Sequence, residues 1–136
     1  MIYVFDSSFV AAQIIPDEKV QKIEQLYRKI KYNDEKQAPH LILYEISNLF
    51  KNLIRRKRYS YDEVMEFYQP LAAIRLVLDN ETGIEYSKKL LSLCYEYNLS
   101  SYDAAYLELA GRKNAVLCTL DEDLRDAAKK HGISLI

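Results

Sequence analysis

The chain has 136 residues, 49% of them hydrophobic and 29% charged. That is the size and balance of one globular domain spanning residues 1–136, not of a disordered tail or repeat array. A net charge of −1 excludes nucleic-acid binding driven by bulk positive charge, so any such role rests on a local patch or on metal ions.

No apolar run approaches the ~18 residues needed to cross a bilayer. No basic-then-apolar leader opens the chain. Cys94 and Cys118 are far apart and on apolar segments, which suits buried reduced thiols in a cytoplasmic protein better than a zinc site or disulfide framework.

Along the chain, "IYVF" (2–5) is a β-branched and aromatic run that reads as a strand, and "DSS" after it starts a helix carrying Phe9, Val10 and Ala12. A second helix is expected from Asp17 to about Ile30, with Val20, Ile23, Leu26 and Tyr27 at helical spacing. "APHLIL" (38–43) reads as a strand, preceded by His40 near its start. Residues 44–58 read as a helix with Ile46, Phe50 and Leu53 on one face.

Residues 59–74 form another helix, opened by a Ser60/Glu63 capping box and kinked or ended near Pro70. "IRLVLD" (74–79) is a third strand. It is followed by a helix from about Glu81 to Tyr97 whose buried face holds Leu90, Leu91 and Cys94. "SSYDAAYLELAGRK" is the next helix, closed by Gly111. "AVLCTL" (115–120) is the fourth strand, "DEDLRDAAKKHG" a helix stopped by Gly132, and "ISLI" a final edge strand. Apolar strands alternating with helices predict an α/β fold with a mainly parallel sheet covered on both faces.

In such sheets ligands bind beyond the carboxyl ends of the strands, and here those ends are acidic. Asp6 ends the first strand, Glu45 follows the second, Asp121 follows the fourth, and Asp103 opens the helix before that fourth strand. Four converging carboxylates need a counter-charge, and Mg²⁺ or Mn²⁺ supplies one through oxygen ligands. Each acid also has a purely structural role open to it. Asp6 can cap the first helix, Glu45 favours a helix dipole, Asp103 can complete a capping box with Ser100, and Asp121 or Thr119 can cap the last helix.

Together these stretches resemble the PIN domain, and within it the small VapC-type toxin ribonucleases. "YVFDSS" resembles the opening strand and first acid, Asp6. "YEISNLF" is similar to the second motif, with Glu45 and Asn48. "LSSYDAAYLELA" resembles the third, with Asp103, Ala104, Ala105 and Tyr106, and "LCTLDEDL" the fourth, with Thr119 and Asp121. The resemblance implies a three-layer α/β/α sandwich, a homodimer, Mg²⁺- or Mn²⁺-dependent hydrolysis of RNA, and a small antitoxin protein as partner. It implies Asp6, Glu45, Asp103 and Asp121 as metal-holding catalytic acids, with Asp123 competing for the fourth place. Ser7, Asn48 and Thr119 then serve as supporting donors.

"RRKR" (Arg55, Arg56, Lys57 and Arg58) is the one dense basic run. It suits either a helix C-terminus or contact with RNA or an antitoxin. Homodimerisation is expected through the apolar faces of the early helices. Two other readings compete with a metal-dependent endoribonuclease. One is a non-catalytic RNA-binding or assembly module that keeps the fold. The other, a receiver or aspartyl phosphatase, is disfavoured because the first strand ends in Asp-Ser-Ser and no Lys follows the late strand.

Overall fold

The computed structural model describes residues 1–18 and 20–136. Four strands form one parallel sheet in the order β3-β2-β1-β4: β1 Ile2–Phe5, β2 Glu35–Pro39, β3 Val77–Asp79 and β4 Val116–Cys118. Val4 pairs with Gln37 on one side and with Leu117 on the other. Val4, Phe5, Leu117 and Cys118 are completely buried, because helices cover both faces of the sheet.

Around the sheet lie α1 Ser7–Ile14, α2 Gln21–Tyr27, α3 Ile42–Arg55, α4 Tyr61–Glu66, α5 Tyr68–Ile74, α6 Ile84–Tyr97, α7 Ser101–Arg112 and α8 Glu122–Lys130. On one face α7 packs against β1, β2 and β4, with α6 and α8 beside it. Residues 104–110 of α7 are all buried, so this helix is enclosed on every side, and the small Ala104, Ala105 and Ala110 let neighbours approach. On the other face Phe9 of α1 packs its ring 4.8 Å from that of Phe5, with Tyr27 of α2 closing behind. The helix α1 also meets α3 and α5. The result is a three-layer α/β/α sandwich.

The chain steps outward from β1 to β2 to β3, then returns across the sheet to place β4 on the other side of β1. That reversal between β1 and β4 is where a parallel sheet opens a crevice at its carboxyl edge.

The largest departure from the sequence reading is at β2. The strand is Glu35–Pro39, and the apolar run 41–43 opens α3 instead. Ile42, Ile46, Phe50 and Leu53 recur on one buried helix face, and a short apolar run fits either element until its partners are known. Lys36 and Gln37 take the buried strand positions, with Lys36 Nζ donating to the Tyr32 carbonyl at 3.3 Å. His40 therefore follows β2 instead of preceding it.

Asp17 lies in a 3₁₀ turn (Pro16–Glu18), and α2 begins only at Gln21. Residues 59–74 divide into α4 and α5 at Phe67, one turn before Pro70, which has no N–H for the Glu66 carbonyl. The third strand starts at Val77, because Ile74 ends α5 and Arg75 turns left-handed at φ 60°. On α6, Leu91 points to solvent, while Leu93 and Tyr97 pack against the core in its place.

Gly111 lies inside α7, where a Cβ would stand 3.6 Å from Ile133 Cδ1, and Asn114 makes the left-handed turn. The last segment contributes a single parallel bridge, Leu117 to Leu135. The apolar face of α1 is spent on the core, where Phe9, Val10 and Ile14 are buried. Both cysteines are free, Cys118 buried and Cys94 half-buried. Among the described residues no helix is long and apolar enough to cross a membrane.

Candidate active site

Asp6 leaves the end of β1 at the crevice, its N–H donating to the Cys118 carbonyl of β4 at 3.2 Å. Asp6 is only 4% exposed, and both its carboxylate oxygens accept hydrogen bonds. Oδ1 accepts from the Phe9 N–H at 2.9 Å and from Ser8 Oγ at 2.7 Å, and Oδ2 accepts from the buried Thr119 hydroxyl. Asp6 is thus the N-cap of α1, and the cap holds its side chain still. Ser8 Oγ also accepts from the Leu120 N–H at 3.0 Å, tying the first turn of α1 to the loop after β4.

Burial raises the Asp6 carboxyl above its ordinary value and the nearby Asp103 charge adds to this, while Thr119, the Phe9 N–H and Ser8 pull it back. Glu45 projects from the first turn of α3, where its Oε1 accepts from Tyr106 Oη at 2.5 Å. Burial pushes Glu45 up as well, reinforced by Asp103 and Asp6 and opposed by Tyr106 and the neighbouring Ser7. The Tyr106 phenol is held far above its usual range by burial and by Glu45, so it stays a donor.

Asp103 sits in the first turn of α7. Ser100 caps that helix by accepting the Asp103 N–H at 3.2 Å. No return bond from the Asp103 carboxylate completes a capping box, in contrast to Ser60 and Glu63, where both bonds form. Desolvation raises Asp103, and Asp121 and Asp123 raise it further. Asp121 caps α8 through Oδ1 to the Leu124 N–H at 2.8 Å, and its own N–H donates to Thr119 Oγ1 at 3.0 Å.

The structure therefore brings Asp6, Glu45 and Asp103 within electrostatic reach of one another, with Asp121 and Asp123 beyond Asp103. Among the described residues no salt bridge joins a lysine or arginine to Asp6, Glu45 or Asp103. Among the described residues, however, no three His, Cys, Asp or Glu side chains converge into a ready-made metal cluster.

Ser7 and Asn48 line a cleft beside Glu45. The basic run is split four ways. Arg56 lines that cleft, Arg58 is paired with Asp17 and Glu18 at 3.1 and 3.5 Å, Arg55 borders an apolar groove with Tyr61 and Met65, and Lys57 makes the left-handed turn after α3.

Three contacts were not read from the sequence. The Tyr106–Glu45 bond joins residues 61 apart, and Ser8 does its work through a backbone N–H on another loop, so neither leaves a local signal. The third is a part-buried ion triad away from the acids. Arg112 reaches Glu108 at 2.8 Å and Asp79 at 2.6 Å, and the Glu108/Arg112 spacing of four was its visible half.

A family model described as PIN domain matches residues 3–130. Ribonuclease VapC3 of Pyrobaculum aerophilum is 29% identical over 126 residues, which is 93% of this chain and 94% of the relative. VapBC2 from Rickettsia felis, solved bound to a DNA fragment from their promoter, superposes with a TM-score of 0.67 at 15% identity, over 100% of this chain and 98% of that one. VapC20 of Mycobacterium tuberculosis, a sarcin-ricin loop cleaving toxin, gives 0.64 at 17% identity, over 93% of this chain and 95% of the other. At these identities the two structures bear on fold alone. With the family model spanning nearly the whole chain over the fold described above, the chain belongs to the PIN domain family.

Proposed function

We propose that this protein is a single-domain, divalent-metal-dependent endoribonuclease of the VapC toxin type, working in the cytoplasm with a small antitoxin protein as partner and as a homodimer. The observation that carries this reading is the state of Asp6, Glu45 and Asp103. At the crevice of a parallel sheet Asp103 raises the proton affinity of Asp6 and Glu45, Asp6 adds to that of Glu45, and Asp121 and Asp123 add to that of Asp103. Among the described residues no salt bridge relieves Asp6, Glu45 or Asp103. The similarity to Ribonuclease VapC3 supports the reaction, and the likeness to VapBC2 supports the partner.

The donor chemistry fits a hard cation, because all the groups are carboxylate or hydroxyl oxygens. With no tight three-ligand cluster present, Mg²⁺ or Mn²⁺ would take few protein oxygens and complete its sphere with water, as Mg²⁺ commonly does. Asp6, Glu45 and Asp103 would hold it, with Asp121 or Asp123 as the fourth acid. Bound there, the cation would attract the phosphate and make water acidic near neutral pH.

The chain's own residues prepare the site. Thr119, Ser8 and the Phe9 N–H fix Asp6 in one orientation, and Tyr106 holds Glu45. Ser7 and Asn48 present neutral polar groups beside Glu45 without cancelling its charge.

Cleavage of single-stranded RNA by the folded protein with Mg²⁺ or Mn²⁺, and its loss in Asp6→Asn and Asp103→Asn, is the expected result. Undiminished cleavage by those variants in nuclease-free preparations sinks the reading. The runner-up, a non-catalytic RNA-binding or assembly module, predicts no acid-dependent Mn²⁺ binding by calorimetry.

A further inference from the structure

A cleft of about 340 Å³ opens beside the acids and runs along one flank of α3. Ser7 and Glu45 mark its catalytic end. Asn48, Asn52 and Arg56 continue it away from them. At 100° per residue these four α3 positions (45, 48, 52 and 56) fall within about 80° of arc, flanking the buried face of Ile42, Ile46, Phe50 and Leu53. From Glu45 to Arg56 is eleven residues, roughly 16 Å along the axis.

The order of side chains along that path is chemically graded. Neutral amides stand next to the acids, where a cation would pair with Glu45 and cancel the charge the site depends on. The cation comes only at the far end, beyond the Debye length of roughly 8 Å at physiological salt. A second arginine, Arg58, lines the opposite wall but is already paired with Asp17 and Glu18. Arg56 makes no ion pair among the described residues, although its guanidinium borders a polar cleft.

We propose that Asn52 and Arg56 form a subsite for the sugar–phosphate backbone of RNA nucleotides flanking the cleaved bond. The amide of Asn52 donates to ribose or phosphate oxygens, and Arg56 neutralises one phosphate. This rests on the ribonuclease reading and adds a path for the strand leading away from the acids. It also reconciles a chain of net charge −1 with an RNA substrate, since one well-placed guanidinium binds what bulk charge does not.

The test is binding of a fluorescent single-stranded RNA to the whole protein in chelator, where it is not cut, across 50–200 mM NaCl. One neutralised phosphate on a single strand contributes about 0.7 to the slope of log K against log salt. Arg56→Ala is expected to lower the slope by about that amount and to weaken binding at low salt roughly five- to tenfold. Arg56→Lys keeps the slope, and Arg58→Ala, whose guanidinium is occupied, changes it little. In cleavage assays Arg56→Ala and Asn52→Ala raise KM and spare kcat.

Both sites are at the surface, and unchanged circular dichroism confirms that the variants fold. An unaltered slope in Arg56→Ala, in a protein that cleaves RNA, overturns this inference and leaves the function standing. A wild-type protein that neither binds nor cleaves RNA overturns both.

Discussion

Replacing Thr119 by valine tests whether the Asp6 carboxylate is held by that hydroxyl. Thr119 is 1% exposed and Asp6 4%, so neither reaches water to replace the lost bond. Valine nearly matches threonine in volume, which leaves the cavity term small. What is lost is a hydrogen bond to an ionised group, worth about 1.5–3 kcal/mol when the acceptor stays buried. The second bond to Thr119, from the Asp121 N–H, belongs to an exposed residue that water can satisfy, so it adds little.

The loss is expected to depend on pH. Burial already raises the folded-state pKa of Asp6, and the Thr119 bond lowers it, so removing the bond raises it further. A carboxyl whose folded pKa lies above its unfolded value binds more protons folded than unfolded, so stability falls as pH rises through that window. The variant must fall more steeply than wild type. Its deficit is therefore about 2–3 kcal/mol at pH 8 and about half that at pH 4, where Asp6 escapes by protonating.

Urea unfolding at the two pH values measures this, with a midpoint shift at pH 8 on the order of 1–2 M. Thr119→Ser, which keeps the hydroxyl, stays close to wild type. Equal midpoints for the valine and serine variants, or a deficit that does not shrink in acid, refute the reasoning.

Three further outcomes follow from named contacts. Asp103→Asn removes the charge shared by both neighbouring acids. It is expected to abolish RNA cleavage while raising stability above about pH 5 by roughly 0.5–2 kcal/mol, seen as a flatter dependence of the melting temperature on pH. Tyr106→Phe keeps the packing of a ring that is 1% exposed and removes only the donor to Glu45; weaker Mn²⁺ binding by calorimetry, with an unchanged fold by circular dichroism, is the expected result.

Arg112→Met removes the partner of the Glu108 and Asp79 carboxylates, 7% and 10% exposed, and because the guanidinium lies at the surface it is expected to cost about 1–3 kcal/mol in urea unfolding. Burial raises Asp79, but Arg112 outweighs it and holds that carboxyl below its ordinary range. The stability it contributes is present above the unfolded value near pH 4 and lost in more acid solution, and this acid-side loss disappears in the variant.

The parts of the fold legible in the sequence are those whose signals are local. The Ser60/Glu63 box, the Ser100 cap and the stop at Gly132 (φ 76°) are each set by a few neighbouring residues, and all three stand where the sequence puts them. Failures come where a tertiary partner decides. Residues 41–43 are apolar enough for a strand, but α3 needs Ile42 on the face that Ile46, Phe50 and Leu53 continue, and β1 offers its edge to residues 35–37 instead. Leu91 fits the helical period of a buried face, yet the packing of α6 on α7 selects the neighbouring stripe.

The same division explains the site. Four acids at strand ends and helix starts were visible as residue types, and as caps each had a sufficient local reason to be there. Capping does not exclude catalysis, because a carboxylate that caps a helix through one oxygen keeps lone pairs for another partner. Asp6 and Asp121 spend an oxygen on a helix N-terminus, and that bond fixes where the rest of the carboxylate points. Asp103 is released from the task because Ser100 performs it, and its charge acts on both Asp6 and Glu45. A helix start is a cheap place to hold a charge still, since the peptide dipole there favours an anion. Three such starts around one crevice of a parallel sheet concentrate negative charge on rigid supports, with no need for a buried cation that would cancel it. The repulsion left over is a standing cost in stability, which is why removing Asp103 is expected to make the protein more stable and inactive at once.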